Sequence, residues 1–280
     1  MAIVDVQVHA YEKDHPGRPW AEALTGPASA TDEEMIAAMD AVGVDGAILV
    51  SAWTMYRYDP SYALSVRAAY PGRFALVKPL DPDNAAIADD ISDWAAAEGT
   101  VGVRLVMRAD DSILTDPDDP WIGQALAAAA RHGMVVNMLC TGRLEHAAQI
   151  AAKHGNTRLV IDHLGIRQPH HPPVPPEPWA EAPGLLALAQ YDNVAVKVSG
   201  ACTLSHEPFP YNDIWDPLGQ VFDAFGFDRC MWGTDWTRAV NMLTYEQGVE
   251  AFRVTDRLSN SERAALMGGT VKKIYGWAPS

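Results

Sequence analysis

The chain has 280 residues, of which 48% are hydrophobic and 20% charged, a composition typical of a globular protein with a sizeable core. It contains no apolar run long enough to span a bilayer, so we expect no membrane association. The net charge of −15 argues against nucleic acid or an anionic membrane surface as a partner, because both would repel the chain at long range.

Cysteine usage and the first residues bear on cellular location. The three cysteines include no C-x-x-C pair and predict no disulfide framework. The first residues enter a strand pattern without the basic and apolar segments of a secretory signal. We therefore expect a cytoplasmic protein and, because symmetric homo-oligomers are common among soluble proteins, a homo-oligomer.

Short apolar runs bounded by turn residues alternate with segments of helical spacing along the whole chain. The predicted strands are residues 3–8, 46–51, 74–79, 101–106, 134–140, 158–163, 194–199 and 230–234. The predicted helices are 31–41, which opens with a Thr31 and Glu34 capping box, 61–70, 84–97, 121–132, 143–153, 183–189, 213–225, 244–255 and 261–275.

Eight strand-and-helix units of this length suit right-handed crossovers in one parallel sheet. They favour an α/β fold with a single (β/α)₈ barrel domain over residues 1–280, with an extra helix at the carboxyl end. An open, doubly wound sheet is the alternative, since strand order is invisible in the sequence. No Gly-x-Gly-x-x-Gly follows any predicted strand, so nucleotide binding is unsupported.

The first strand presents Gln7 and His9 on the same face, because residues two apart on a strand point the same way. Two histidines at these positions could hold a divalent metal, for which imidazole is a good ligand. The carboxamide of Gln7 is a poor substitute for imidazole as a metal ligand. The pair therefore raises the question of whether the site works without a metal.

Polar residues gather at the carboxyl ends of the predicted strands, where barrels of this kind assemble their chemistry. The candidates are His9, Lys78, Arg104 and the following Arg108, Asn137, Cys140, Asp162, His163, Lys197, Ser199, Asp235 and Arg238. Arg104 and Lys197 interrupt apolar strands, which is costly unless the charge is functional or belongs to a structural ion pair. Asp235 is the best candidate for the central acid or base, with a helix cap as the alternative role.

Loops after the strands supply further candidates. A proline-rich segment at 168–179 should be extended and form either the rim of a pocket or a spacer. Trp53 and Tyr58 are candidate lining residues. Their aromatic rings suggest a substrate that is partly apolar or ring-shaped.

Five strand motifs together resemble the amidohydrolase superfamily. They are Asp-Val-Gln-Val-His at 5–9, Gly-Val-Arg-Leu at 102–105, Ile-Asp-His-Leu-Gly at 161–165, Val-Lys-Val-Ser-Gly at 196–200 and Met-Trp-Gly-Thr-Asp-Trp at 231–236. The pattern looks most like the amidohydrolase-related branch that includes dicarboxylate and sugar lactonases and, more distantly, decarboxylases. The resemblance covers essentially the whole chain and implies a distorted barrel.

Carried over by position, the resemblance implies that His9, His163 and Asp235 are the catalytic residues. Gln7 departs from the pattern, and the fifth strand offers no histidine where metal-dependent decarboxylase relatives have one. His9, His163 and Asp235 could still hold a single zinc or manganese ion, since three protein ligands are a common catalytic set. With two ligands lost, we expect no tightly bound metal and no other cofactor.

The resemblance then implies a hydrolase that acts on a small anionic lactone, or on a related ester, with Asp235 activating water. His9, His163 and Gln7 would donate to the oxyanion, and Arg104 with Lys197 or Arg238 would bind a substrate carboxylate. Trp53, Tyr58 and Asn137 complete the expected substrate-binding set. The alternatives are a zinc- or manganese-dependent decarboxylase or hydrolase, a lactone isomerase, and a barrel that only binds a ligand.

Overall fold

The computed structural model describes residues 2–23, 26–107 and 116–280, and within them eight parallel strands pair in sequence order. The last strand lies beside the first, where the Asp235 N–H donates to the Gln7 carbonyl oxygen at 3.0 Å. The result is a nearly closed (β/α)₈ barrel, which confirms the predicted fold over the open sheet. The strands are β1 (Val4–Val8), β2 (Gly46–Val50), β3 (Phe74–Pro79), β4 (Thr100–Val106), β5 (Val135–Leu139), β6 (Leu159–Ile161), β7 (Val194–Ser199) and β8 (Cys230–Gly233).

Helices fill the connections between the strands. Among the described residues, no helix is both long enough and apolar enough to cross a membrane. The helices are α1 (Asp32–Ala41), α2 (Trp53–Tyr56), α3 (Ser61–Ala69), α4 (Ile87–Ala96), α5 (Pro120–Arg131), α6 (Leu144–Lys153), α7 (Ala182–Ala187), α8 (Trp215–Phe225), α9 (Trp236–Ala239), α10 (Tyr245–Arg253), α11 (Asn260–Ala264) and α12 (Thr270–Tyr275).

All eight predicted strands are present, with ends within two residues of the prediction. The barrel is distorted, because the pairing register shifts once between β1 and β2 and once between β3 and β4. The capping box is also confirmed: Thr31 Oγ1 accepts from the Glu34 N–H, and Glu34 Oε2 accepts from the Thr31 N–H.

The predicted helix 261–275 is wrong as a single element, since it is split into α11 and α12 by a wide turn at Ala265–Gly269. Gly268 explains the break. A Cβ at this position would lie 2.2 Å from the Ala2 carbonyl oxygen, so the close approach to the start of the chain requires glycine.

The barrel interior is an apolar cluster formed by β-strand side chains and closed from below by the carboxyl-terminal segment. Val271, Ile274 and Tyr275 of α12 pack into this cluster. Trp277 and Pro279 lie against Gly46 at the start of β2, which places the segment at the amino-terminal end of the barrel. The strand members are Val4, Val6, Ile48, Val50, Ala75, Val77, Val135, Val160, Ala195 and Met231. The carboxyl ends of the strands lie at the opposite end of the barrel, which the carboxyl-terminal segment does not cover.

Candidate active site

A cavity of about 350 Å³ opens at the carboxyl ends of the strands, which is the size expected for a small-molecule site. The structure brings six predicted residues together in its wall: His9, Trp53, Arg104, His163, Asp235 and Arg238. The described lining leaves out the other four members of the expected catalytic and substrate-binding set, Gln7, Tyr58, Asn137 and Lys197, and also the strand-end candidates Lys78, Cys140, Asp162 and Ser199. Arg108 lies outside the described residues.

Asp235 follows β8 in a left-handed backbone conformation with φ 51°, which is uncommon for a residue with a side chain. Its carboxylate is almost fully buried at the cavity and does not cap α9, as far as the described residues show. Oδ2 accepts from Arg238 Nε, whereas Oδ1 has no hydrogen-bond partner among the described residues. A buried oxygen left open toward a cavity indicates a function rather than a structural role.

The charge state of Asp235 follows from its neighbours. Burial alone would raise the pKa of the carboxyl group, but the imidazole of His163 and the guanidinium of Arg238 outweigh burial and hold the pKa well below its usual range. Arg238 is charged at every relevant pH. Asp235 is therefore a carboxylate at neutral pH.

His163 follows β6 and also adopts a left-handed conformation, with φ 52°. Its Nε2 lies 3.3 Å from Arg104 Nη2, and because a guanidinium only donates, Nε2 is the acceptor. The ring hydrogen is then on Nδ1, which lies 3.0 Å from Ser199 Oγ and 3.4 Å from Asp235 Oδ2. Arg104 thus selects the His163 tautomer that carries its hydrogen on Nδ1, with Ser199 Oγ as the hydrogen-bond acceptor and Asp235 Oδ2 nearby.

We expect His163 to titrate at about pH 4, because burial lowers its pKa from 6.5 despite the opposing charges of Asp235 and Asp162. The folded state favours the neutral ring, so the stability that His163 contributes above pH 6.5 is lost as the pH falls from 6.5 towards 4. Histidine NMR signals followed over this range, with His163→Gln to assign the resonance, provide the measurement. Titration near 6.5 in the folded protein would contradict this geometry.

His9 is fixed by bonds to both ring nitrogens. Nδ1 donates to the Val50 carbonyl oxygen at 2.7 Å, so in the neutral ring Nε2 carries only a lone pair. Gln7 Nε2 lies 3.2 Å from His9 Nε2 and donates to it. A neutral His9 in this tautomer has no hydrogen for an oxyanion, and the geometry does not support the donor role expected of it.

Below the cavity, Asp162 lies between two buried cations. Its Oδ1 is 2.9 Å from Lys197 Nζ, and its Oδ2 accepts from Arg104 Nε at 2.7 Å. Burial would raise the pKa of Asp162, but the charges of Lys197 and Arg104 outweigh it and lower the pKa. The structural ion pair considered for Arg104 and Lys197 is therefore present. Arg104 also reaches the cavity, whereas Lys197 is fully buried and its Nζ donates instead to Gln7 Oε1 at 2.7 Å.

Asn137 and Tyr58 occupy positions away from the expected substrate contacts. Asn137 is fully buried in the barrel, where Nδ2 donates to Val103 O at 3.4 Å and Oδ1 accepts from the Tyr275 hydroxyl. It therefore joins β5 to α12. Tyr58 is half-buried after α2 and is not among the described lining residues.

Two residues that the sequence did not single out organise the site. Asp5 Oδ1 accepts from the N–H groups of Gln7 and Thr234 at 3.0 and 2.9 Å, which fastens β1 to β8 directly before Asp235. Burial raises the pKa of Asp5 to about 6. Gln168 donates to the carbonyl oxygens of His163 and Ser199 and accepts from Arg238 Nη2 at 2.6 Å. Gln168 was the first residue of the proline-rich segment, whose position after β6 was the available signal.

Arg238 is engaged by the protein more fully than the sequence suggested. Besides Asp235 and Gln168, it contacts the Pro169 carbonyl oxygen, to which Nη1 donates at 3.0 Å. It therefore anchors the start of the proline-rich segment, whose residues Gln168 and His170 line the cavity. This arrangement agrees with the expectation that the proline-rich segment forms the rim of a pocket rather than a spacer.

The residues present do not fit the single metal ion that related sites would imply. His9 Nε2 already accepts from Gln7, and His163 Nε2 faces the cationic Arg104. In the part of the chain that the structure describes, no three His, Cys, Asp or Glu side chains are grouped to hold a metal. The buried Lys197 and Arg104 cations further disfavour a divalent ion nearby.

The fold and the site define a barrel enzyme whose described cavity wall combines a carboxylate, three imidazoles and arginines. The amidohydrolase family model "Amidohydro_2" matches residues 4–277. The chain therefore belongs to the amidohydrolase family, which confirms the resemblance and the expected class of enzyme.

Curated relatives and solved structures are consistent with this membership. L-fucono-1,5-lactonase of Burkholderia ambifaria is 30% identical over 187 residues, which are 64% of this chain and 60% of that protein. The 4-sulfomuconolactone hydrolase of Hydrogenophaga intermedia is 24% identical over 219 residues, 75% of this chain and 66% of that protein. The structure of a probable 2-pyrone-4,6-dicarboxylic acid hydrolase from Acinetobacter baumannii, with citric acid bound, superimposes with a TM-score of 0.79 at 19% identity and covers 99% of this chain and 100% of that chain. The structural likeness shows the fold.

Proposed function

We propose that this protein hydrolyses a small anionic lactone, with Asp235 as general base and without a metal ion. The observation that carries the proposal is the buried, ionised Asp235 carboxylate, whose Oδ1 is open at the cavity. The names of the relatives support the reaction class, since both curated relatives act on lactones. The misfit of the histidines to a metal supports the mechanism.

The reaction begins with a water molecule that donates a hydrogen bond to Asp235 Oδ1. As the water oxygen bonds to the lactone carbonyl carbon, Asp235 takes its proton. The cavity-lining Arg104 is the donor for the resulting oxyanion, since the His163 Nδ1–H is already bonded to Ser199 Oγ. The ring C–O bond then breaks, and the departing oxygen takes the proton back from Asp235, which gives the ring-opened hydroxy acid.

Charge in the cavity wall favours an anionic substrate. Among the described lining residues, Arg104, Arg167 and Arg238 stand with one carboxylate, Asp235. Arg167 is the exposed member of these arginines. Trp53 adds an aromatic wall suited to a ring-shaped substrate.

A lactone panel tests the proposed function. Neutral sugar lactones and lactones that carry a carboxylate or sulfonate are incubated with the protein, and NMR identifies the product. We expect ring-opened acid, with kcat/KM highest for the anionic lactones. An isomerised lactone as product, or binding without turnover across the panel, would contradict the proposal.

We expect Arg167→Gln to raise KM for an anionic lactone about tenfold with little change in kcat, because a charge-assisted hydrogen bond contributes about 1.5–3 kcal/mol. Arg131→Gln is the matched control, since it removes one exposed cation from the end of α5 and changes the net charge equally. Steady-state kinetics on a neutral and an anionic lactone give the comparison. Equal effects of both variants would argue against a rim contact with the substrate.

A further inference from the structure

Gln7 stands between a buried ammonium group and the imidazole of His9. Lys197 Nζ lies 2.7 Å from Gln7 Oε1, and neither side chain is exposed to solvent. An ammonium group only donates, so the Gln7 oxygen must face Lys197 and the amide nitrogen must face away from it. Lys197 is in turn held by Asp162 at 2.9 Å. The hydrogen bond from Lys197 thus determines the orientation of the Gln7 amide.

The amide nitrogen faces His9 Nε2 at 3.2 Å. Because amide nitrogen donates, His9 Nε2 must accept, and the Val50 carbonyl oxygen requires the ring hydrogen on Nδ1. Both bonds select the same tautomer of His9. The chain from Lys197 through Gln7 therefore decides which nitrogen of His9 carries hydrogen.

This choice matters for the neighbouring carboxylate. His9 Nε2 lies 3.5 Å from Asp235 Oδ1, the oxygen that has no hydrogen-bond partner in the described chain. A hydrogen on His9 Nε2 would point at this oxygen and occupy it. Asp235 Oδ1 would then be a weaker acceptor for the proton of water.

We propose that Gln7 is a positioning residue: oriented by Lys197, it keeps hydrogen off His9 Nε2 and so leaves Asp235 Oδ1 open to water. The inference rests on the proposed role of Asp235 as general base. Gln7 itself is fully buried and is not among the described lining residues of the cavity, so we expect it to act through His9 rather than on the substrate.

The substitution Gln7→Glu reverses the hydrogen-bond polarity with almost no change in shape. A carboxylate accepts at both oxygens, so one oxygen retains Lys197 while the other draws a hydrogen onto His9 Nε2. We expect kcat to fall by about tenfold or more with KM nearly unchanged, because the base is affected and the cavity wall is not. Gln190→Glu, the same substitution at an exposed site, should leave kcat, KM and His9 unchanged.

The tautomer is read directly from the ¹⁵N shifts of His9 at neutral pH, in multiple-bond ¹H–¹⁵N spectra with His9→Gln used for assignment. We expect an unprotonated Nε2 in the wild-type protein and a protonated Nε2 in Gln7→Glu. This readout needs no substrate, so it stands even if the lactone panel fails. A lactone panel without turnover, combined with the expected spectra, would refute the proposed function and leave the Gln7 contact supported.

Two results would overturn the inference. The first is a wild-type His9 with hydrogen on Nε2, which decides the matter even if Gln7→Glu does not fold. The second is a folded Gln7→Glu protein whose His9 spectrum matches that of the wild type. A fall in kcat without the spectral change belongs to this second result, because it would show a structural effect unrelated to the His9 tautomer.

Discussion

The Asp235→Asn variant is expected to lose lactone hydrolysis by a factor of about 10² to 10⁴ in kcat while it keeps the barrel fold. An amide cannot take a proton from water, so the variant lacks the base while keeping nearly the same shape. Arg238 loses its carboxylate but retains Gln168 and the Pro169 carbonyl oxygen. Steady-state kinetics give the activity, and circular dichroism with urea unfolding gives the fold.

Asp90→Asn is the matched control for this variant. Asp90 pairs with Lys78 Nζ at 2.6 Å, and neither residue is part of the described cavity wall. The same loss of a carboxylate beside a cation should there leave kcat unchanged. An active Asp235→Asn protein, or equal losses in the two variants, would remove Asp235 from the role of general base.

The second large effect concerns stability. Asp162→Ala leaves the side chains of Lys197 and Arg104 buried without their shared carboxylate. Removal of one partner from a buried ion pair typically costs about 3–5 kcal/mol, because the remaining charge is desolvated and uncompensated. We expect a loss of this order in the free energy of unfolding, measured in urea.

Asp228→Ala provides the comparison for a surface pair. Asp228 contacts Lys273 at 2.8 Å, and both side chains are more than half exposed. Exposed pairs contribute little, so the loss should remain within about 1 kcal/mol. Similar losses in both variants would mean that the Asp162 cluster is not the stabilising centre that its burial implies.

The strands were predictable because buried parallel strands are continuous apolar runs between turn residues. Short elements were not. The four-residue helices α2 and α9 hold barely one turn each, which is too little for a periodic pattern. The break before α12 depends on a contact between Gly268 and Ala2, which are far apart in the sequence.

The site was predictable in part for a similar reason. Strand ends pointed to His9, His163 and Asp235, and all three line the cavity. The alternation of side chains along a strand shows which face of the sheet a residue occupies, but not how deep in the barrel its side chain lies. Gln7 and Lys197 lie two residues before His9 and Ser199, which is about 7 Å deeper in the barrel. They therefore contact each other below the cavity. The sequence had suggested instead that both side chains contact the substrate.

Metal-free turnover is the central claim, and it is tested by measuring metal content and lactone hydrolysis on the same chelator-treated protein. The structure predicts unchanged kcat with far less than one metal ion per chain, because Gln7 and Arg104 occupy the histidine nitrogens that a metal would need. Activity that disappears on chelation and returns with zinc or manganese would contradict it.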